Sequence, residues 1–157
     1  MATIIVEDGT GKTDSNSYIS EADFETYATD RGITLTGVSA ELLIRAMDYI
    51  ESIKYKGWKY TDAQALQWPR GDVYIDGYSV SVTTIPQLLK DALCEVSIGI
   101  DDDADPLGNE DRQTKKEKVG DIEVEYMDGS RNYTYLKGAH SKLTKLISGA
   151  PNMVHRG

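Results

Sequence analysis

Cations and aromatic rings are packed together from Lys54 to Tyr60, in the order Lys54-Tyr55-Lys56-Gly57-Trp58-Lys59-Tyr60, with Trp68 and Arg70 a short distance on. Rings that stack on bases, interleaved with charges that meet phosphates, are the means by which single-stranded nucleic acid is gripped. Lys54, Tyr55, Lys56, Trp58, Lys59 and Tyr60 are therefore the candidate nucleic-acid-binding residues. The same residues have a plainer use. Tyr55 can complete the apolar face of a helix, and Trp58 and Trp68 are the large residues a small core would want. A net charge of −9 also opposes long-range attraction to a polyanion away from this run.

Other constellations fail on spacing. Gly9-Thr10-Gly11-Lys12-Thr13 has the ingredients of a phosphate loop, but the first glycine of the full motif falls on Val6. Thr13 is followed by Asp14-Ser15-Asn16-Ser17 and not by an apolar helix, so a polar turn is expected. Asp101, Asp103 and Asp105 alternate like the first ligands of a calcium loop, yet Pro106 stands where glycine is required and Arg112 where the bidentate acid belongs. One cysteine, Cys94, and two histidines, His140 and His155, are too few for a zinc site or an intrachain disulfide. No serine or cysteine stands in a nucleophile-elbow context, and Glu123 and Glu125 read as the wet face of a strand. The expectation is a protein that is not an enzyme, with no catalytic residues, no cofactor and no metal.

The elements that must carry these residues follow from length and periodicity. A chain of 157 residues, 39% hydrophobic, is one domain that buries its own core. Its apolar stretches are too broken for a membrane span, and no signal peptide is visible, so a soluble protein made in the cytoplasm is expected. Charge is segregated: every one of the 26 acids lies at or before Asp128, and the five basic residues from Arg131 to Arg156 follow with none. Ser20 as N-cap, with Ile19 and Phe24 as a hydrophobic staple, predicts a helix to about Thr29. Leu43, Ala46, Met47, Ile50 and Ile53 predict a second from Ser39 to about Tyr55, and Leu89, Ala92, Leu93, Val96 and Ile100 a third opened by Pro86. Between them lies an ordered loop with a short hairpin at Asp76-Gly77. Residues 101–116 read as a flexible acidic segment, and Val119 to Tyr135 as two strands turning at Asp128-Gly129. A last helix is expected from about Ser141 to Gly149. The fold class expected is mainly α: a small bundle of about four helices, an ordered loop between the second and third, and a β-hairpin between the third and fourth.

Several runs together resemble tailed-bacteriophage head-to-tail connector proteins, also called adaptor or head-completion proteins. They are Asn16-Ser17-Tyr18, Leu42 to Ile50, Tyr55-Lys56-Gly57, Gln64-Ala65-Leu66-Gln67-Trp68-Pro69-Arg70, Ile85-Pro86 with Ala92, Lys118 to Tyr126, and Arg156. Proteins of this type are also catalogued as DnaT-like single-stranded-DNA-binding proteins. The resemblance spans about Ser17 to Arg156, with the Gln64 to Arg70 run its most specific part. It implies a mostly helical structural subunit of the virion neck. Such a subunit assembles as a homo-oligomeric ring, a dodecamer by the family's habit, beneath a portal protein. The ring joins the portal to a tail or neck completion protein, and double-stranded DNA passes through without specific binding. Under that reading Trp68, Pro69, Arg70, Tyr126 and Arg156 are interface or loop-anchor residues, and residues 150–157 form a docking tail. Single-stranded-DNA binding through the Lys54 to Tyr60 run is the alternative.

Overall fold

Where the apolar residues recur with helical period, helices form. The computed structural model describes residues 2–108 and 136–149, and the backbone of two strands at 116–119 and 122–125. Helix α1 spans Glu21–Thr29, capped by Ser20 in a reciprocal capping box with Asp23, and Ile19 and Phe24 are both buried at its entry. Helix α2 (Ser39–Glu51) turns Leu42, Leu43, Ala46, Met47 and Ile50 inward. Helix α3 (Gln87–Asp101) begins one residue after Pro86 and is buried along most of its length, with Leu89, Leu93 and Val96 fully enclosed. It is the axis of the molecule, packed against α2 and α4 (Lys137–Leu143) and more lightly against α1. Cys94 lies on it; burial pushes its thiol up to about 12, so it stays an inert thiol at neutral pH.

The expectation of a mainly α bundle is overturned. Among the described residues four helices are accompanied by three two-stranded antiparallel sheets, and the architecture is mixed α and β. Strand β1 (Trp58–Lys59) pairs with β2 (Arg70–Gly71), and β3 (Tyr74–Ile75) with β4 (Tyr78–Ser79). Strands of two residues carry no readable period, so the stretch between α2 and α3 reads as loop in sequence. Two glycines make this region possible. Gly77, with Asp76 before it, takes the positive φ that the tight β3–β4 turn requires. At Gly57 a Cβ would stand 2.0 Å from the carbonyl oxygen of Gly71, so only glycine lets the chain pass so close to β2.

Two further boundaries differ. Strands β5 (Lys116–Val119) and β6 (Ile122–Glu125) pair antiparallel with Val119 opposite Ile122, so these two residues stand on separate strands and not on one as expected; Asp128-Gly129, the expected turn, lies outside the described residues. Helix α4 starts earlier than expected and ends at Leu143. The next residues are drawn into pairing with the segment after α2: Lys56 N–H donates to the Leu146 carbonyl at 3.0 Å and Ser148 N–H to the Lys54 carbonyl at 2.9 Å. Of the acidic segment expected at 101–116, the part to Gly108 is turn structure in which Ala104 N–H bonds back to Gly99. Residues 109–115, Tyr126, Arg156 and the tail 150–157 lie outside the described residues.

Candidate nucleic-acid interface

The Gln64 to Arg70 run folds into a loop whose polar side chains turn inward. Gln64 closes a reciprocal pair with Thr61 and sends its amide nitrogen to the carbonyls of Leu66 and Pro69. Glu51, at the end of α2, accepts from Gln67 N–H at 2.7 Å and from the Tyr18 hydroxyl, and that hydroxyl in turn accepts from Trp68 N–H at 3.1 Å. Burial raises the Glu51 carboxyl above its ordinary range, and burial together with the Glu51 charge raises the Tyr18 hydroxyl well above its own. Tyr18 therefore remains the donor of this pair at neutral pH. Trp68 is fully buried and meets Tyr55 edge to face, with ring centroids 5.9 Å apart. Pro69 follows through a cis peptide bond.

Arg70 is the clasp of the loop. Its Nε donates to the Lys56 carbonyl and its Nη2 to the Gly57 carbonyl, both at 2.7 Å, while Nη1 reaches the Gln67 carbonyl and Oε1. At 7% exposure it is a loop anchor for its own chain. Trp68, Pro69 and Arg70 thus all sit inside the molecule, where they hold β1 and β2 in place.

Those anchors hold out a two-residue platform. Successive side chains on a strand alternate faces, so Trp58 and Tyr60 share one face and Lys59 takes the other. The ladder continues past β1, because Tyr60 N–H donates to the Pro69 carbonyl at 3.1 Å. Trp58 is 62% exposed and Tyr60 45%, whereas Lys59 lies on the side where its charge is felt by Glu51. The candidate set therefore splits. Trp58 and Tyr60 are brought together on an open face, Lys59 is turned away from them, and Tyr55 is removed from the surface altogether, its hydroxyl donating to the Ile50 carbonyl. Lys54 is exposed and Lys56 half-buried on the segment that enters β1.

Sequence reasoning missed several neighbours. Tyr74 and Tyr78 project from the β3–β4 hairpin, on opposite faces of it by register, and are 55% and 80% exposed. Lys145 comes to the same region through the pairing of 54–56 with 146–148; it salt-bridges Asp76 at 2.7 Å, and Lys56 Nζ donates to its carbonyl. The local signal for Tyr74 and Tyr78 was present in their flanking of Asp76-Gly77. For Lys145 there was none, since 89 residues separate it from Lys56.

The glycine loop near the start does cradle an anion, and the anion is its own. The fully buried Glu7 carboxylate accepts from the N–H groups of Gly9, Gly11 and Lys12 at 2.8–2.9 Å and from the Ser15 hydroxyl. Asp101 does not converge with Asp103 and Asp105; it accepts from Thr36 and from the Gly37 N–H, which lowers its carboxyl. Among the described residues no group of three or more His, Cys, Asp or Glu could hold a metal ion, and no helix is long and apolar enough to cross a membrane.

One family model matches this chain, over residues 2–157, and its description reads "Putative DnaT-like ssDNA binding protein". The match lends nothing to the head-to-tail connector family as such. No curated protein and no solved structure matches.

Proposed function

The chain belongs to this DnaT-like family, and from that premise we propose that it binds single-stranded DNA through the open face of the β1–β2 ribbon. The observation that carries the reading is the pair Trp58 and Tyr60, two large aromatic rings left exposed side by side by a loop that buries its other large side chains. Neighbouring residues of one strand face lie about 6.5 Å apart, and each ring offers a flat surface to one base. Lys54 and Lys56, on the segment that enters β1, supply cations next to it, and Lys145, paired with Asp76, comes close to Lys56. Stacking contributes about 1–3 kcal/mol per base and tolerates any sequence, so the expected ligand is an unpaired strand without strong sequence preference.

The two tryptophans make the test direct. Trp68 is buried and Trp58 exposed, so a change of intrinsic fluorescence on titration with an oligodeoxythymidylate reports Trp58. With two or three lysines engaged, log K should fall with log salt at a slope of about −1.4 to −2. A duplex of the same length should compete poorly. An oligonucleotide that leaves Trp58 emission untouched at low salt removes this reading.

A second reading has one observation in its favour. The net charge of −9 is unusual for a protein that grips DNA and suits one that lets DNA slide past. That is the behaviour implied by the connector resemblance, in which this subunit forms a ring on a portal protein. Saturable co-sedimentation with tail-less, DNA-filled heads, at a multiple of the portal symmetry and with no oligonucleotide signal, would support it over the first.

A further inference from the structure

On the open face of the ribbon the indole of Trp58 lies across Gly71, its cross-strand partner. A Cβ added to Gly71 would stand 3.0 Å from Trp58 Nε1 and 3.5 Å from Cε2, with a Val82 methyl at 3.6 Å. Gly71 itself is buried while Trp58 is not, so one side of the ring rests on the ribbon and the other meets solvent. The backbone makes no demand for glycine here. Gly71 is not among the glycines with positive φ, so what a methyl added here meets is the Trp58 ring, which would have to shift by a few tenths of an ångström, and not a conformational barrier.

We propose that Gly71 is a positioning residue for nucleobase binding: by carrying no side chain it lets Trp58 keep its place against the ribbon as the platform for one unpaired base, with Tyr60 receiving the next. This rests on the single-stranded-DNA reading and adds to it the residue that sets the pose of the ring. It also narrows the ligand. Platforms about 6.5 Å apart hold consecutive bases too far apart to stack on each other, which selects an extended strand. Bases in a duplex are stacked on both sides and offer neither ring a free surface. A ring laid over a cross-strand glycine also stabilises a ribbon in its own right. A purely structural ring would move the melting temperature and leave affinity alone, so the two roles separate by measurement.

The experiment uses the full chain and a fluorescently labelled oligodeoxythymidylate, with Trp58→Ala, Gly71→Ala and the double variant. Trp58→Ala should weaken binding by about 5- to 150-fold. Gly71→Ala should weaken it in the same direction at an unchanged melting temperature, with a change in acrylamide quenching of Trp58. The double variant should bind no worse than Trp58→Ala alone. Wild-type affinity in Gly71→Ala, or losses that add in the double variant, overturns the positioning role. Wild-type affinity in Trp58→Ala removes the single-strand reading itself and this inference with it, so the two failures are told apart by which single variant is silent. If Gly71→Ala also lowers the melting temperature, Gly71→Ala combined with Trp58→Phe supplies the check. The phenyl ring lacks the Nε1 atom nearest the new methyl, so melting temperature and affinity should return to those of Trp58→Phe, and failure to return also overturns the role.

Discussion

Replacing Arg70 by alanine tests whether the buried loop or the outward-facing ribbon is where this residue acts. Its guanidinium makes two 2.7 Å bonds to the Lys56 and Gly57 carbonyls and longer ones to Gln67. Burial lowers its pKa, yet arginine keeps its charge throughout the neutral range. Hydrogen bonds to a charged partner contribute about 1.5–3 kcal/mol each, so the two short ones together contribute about 3–6 kcal/mol. Gly57 is exposed and Lys56 half-buried, so water can reach part of what the side chain leaves behind, which reduces the expected loss to about 2–4 kcal/mol. With a urea m-value of about 2 kcal/mol/M the unfolding midpoint falls by about 1–2 M at constant m. Arg70→Lys restores the charge but cannot fork to two carbonyls at once, and should recover less than half of the loss. A midpoint within error of wild type for Arg70→Ala, or full recovery by lysine, refutes the clasp.

Three further outcomes follow from the buried groups. Trp68→Ala should cost about 3–5 kcal/mol by denaturation, whereas Trp68→Phe should cost distinctly less. The indole N–H of Trp68 has no acceptor among the described residues, so losing it forfeits nothing; equal costs for the two variants would contradict this. Glu51 carries a carboxyl raised by burial above 4.5, so the folded state holds that proton more tightly than the unfolded one, and the penalty of ionising it is absent at low pH and grows as pH rises past that value. Glu51→Gln should therefore gain on wild type in unfolding free energy as pH rises through the ordinary carboxylate range and beyond it, and a difference that does not change with pH sinks the assignment. Glu7→Ala leaves three amide donors without their acceptor at about 1–3 kcal/mol each, a loss of at least about 3 kcal/mol. Acetate, which supplies a free carboxylate, should raise the melting temperature of that variant and not of wild type; equal response to chloride is the contrary result.

The parts legible in the sequence are those whose cause is local. Ser20 with Asp23, and Ile19 with Phe24, announce α1 because a cap and its staple lie within five residues. The periods of α2 and α3 are readable because each helix buries one stripe against the same core. Asp76-Gly77 announces its hairpin because the turn itself demands positive φ. What escaped is long-range. The β1–β2 pairing, the early end of α4 and the arrival of Lys145 all depend on segments that find each other across tens of residues. The Gly9 to Thr13 run was legible as a polar turn, and only the fold reveals that its N–H groups close on Glu7.

The candidate site shows the same division with a sharper consequence. The Lys54 to Tyr60 run was read as one patch because its residues are adjacent, but strand alternation and the burial of Tyr55 separate them. The most specific run, Gln64 to Arg70, turns inward: the Gln64 and Arg70 side chains bond carbonyls of this chain, the Gln67 N–H bonds the Glu51 carboxylate, and the Trp68 ring is buried. On the single-strand reading, recognition falls to what that motif holds out and not to the motif itself. Arg70 grips the carbonyls of Lys56 and Gly57, the two residues immediately before Trp58, so the motif fixes where β1 begins and hence which face Trp58 and Tyr60 occupy. Loss of Arg70 should then lower stability and oligonucleotide affinity together, while loss of Trp58 should lower affinity far more than stability. Measured side by side, the two variants separate the scaffold from the surface it presents; affinity retained in a folded but destabilised Arg70→Ala would break the link between them.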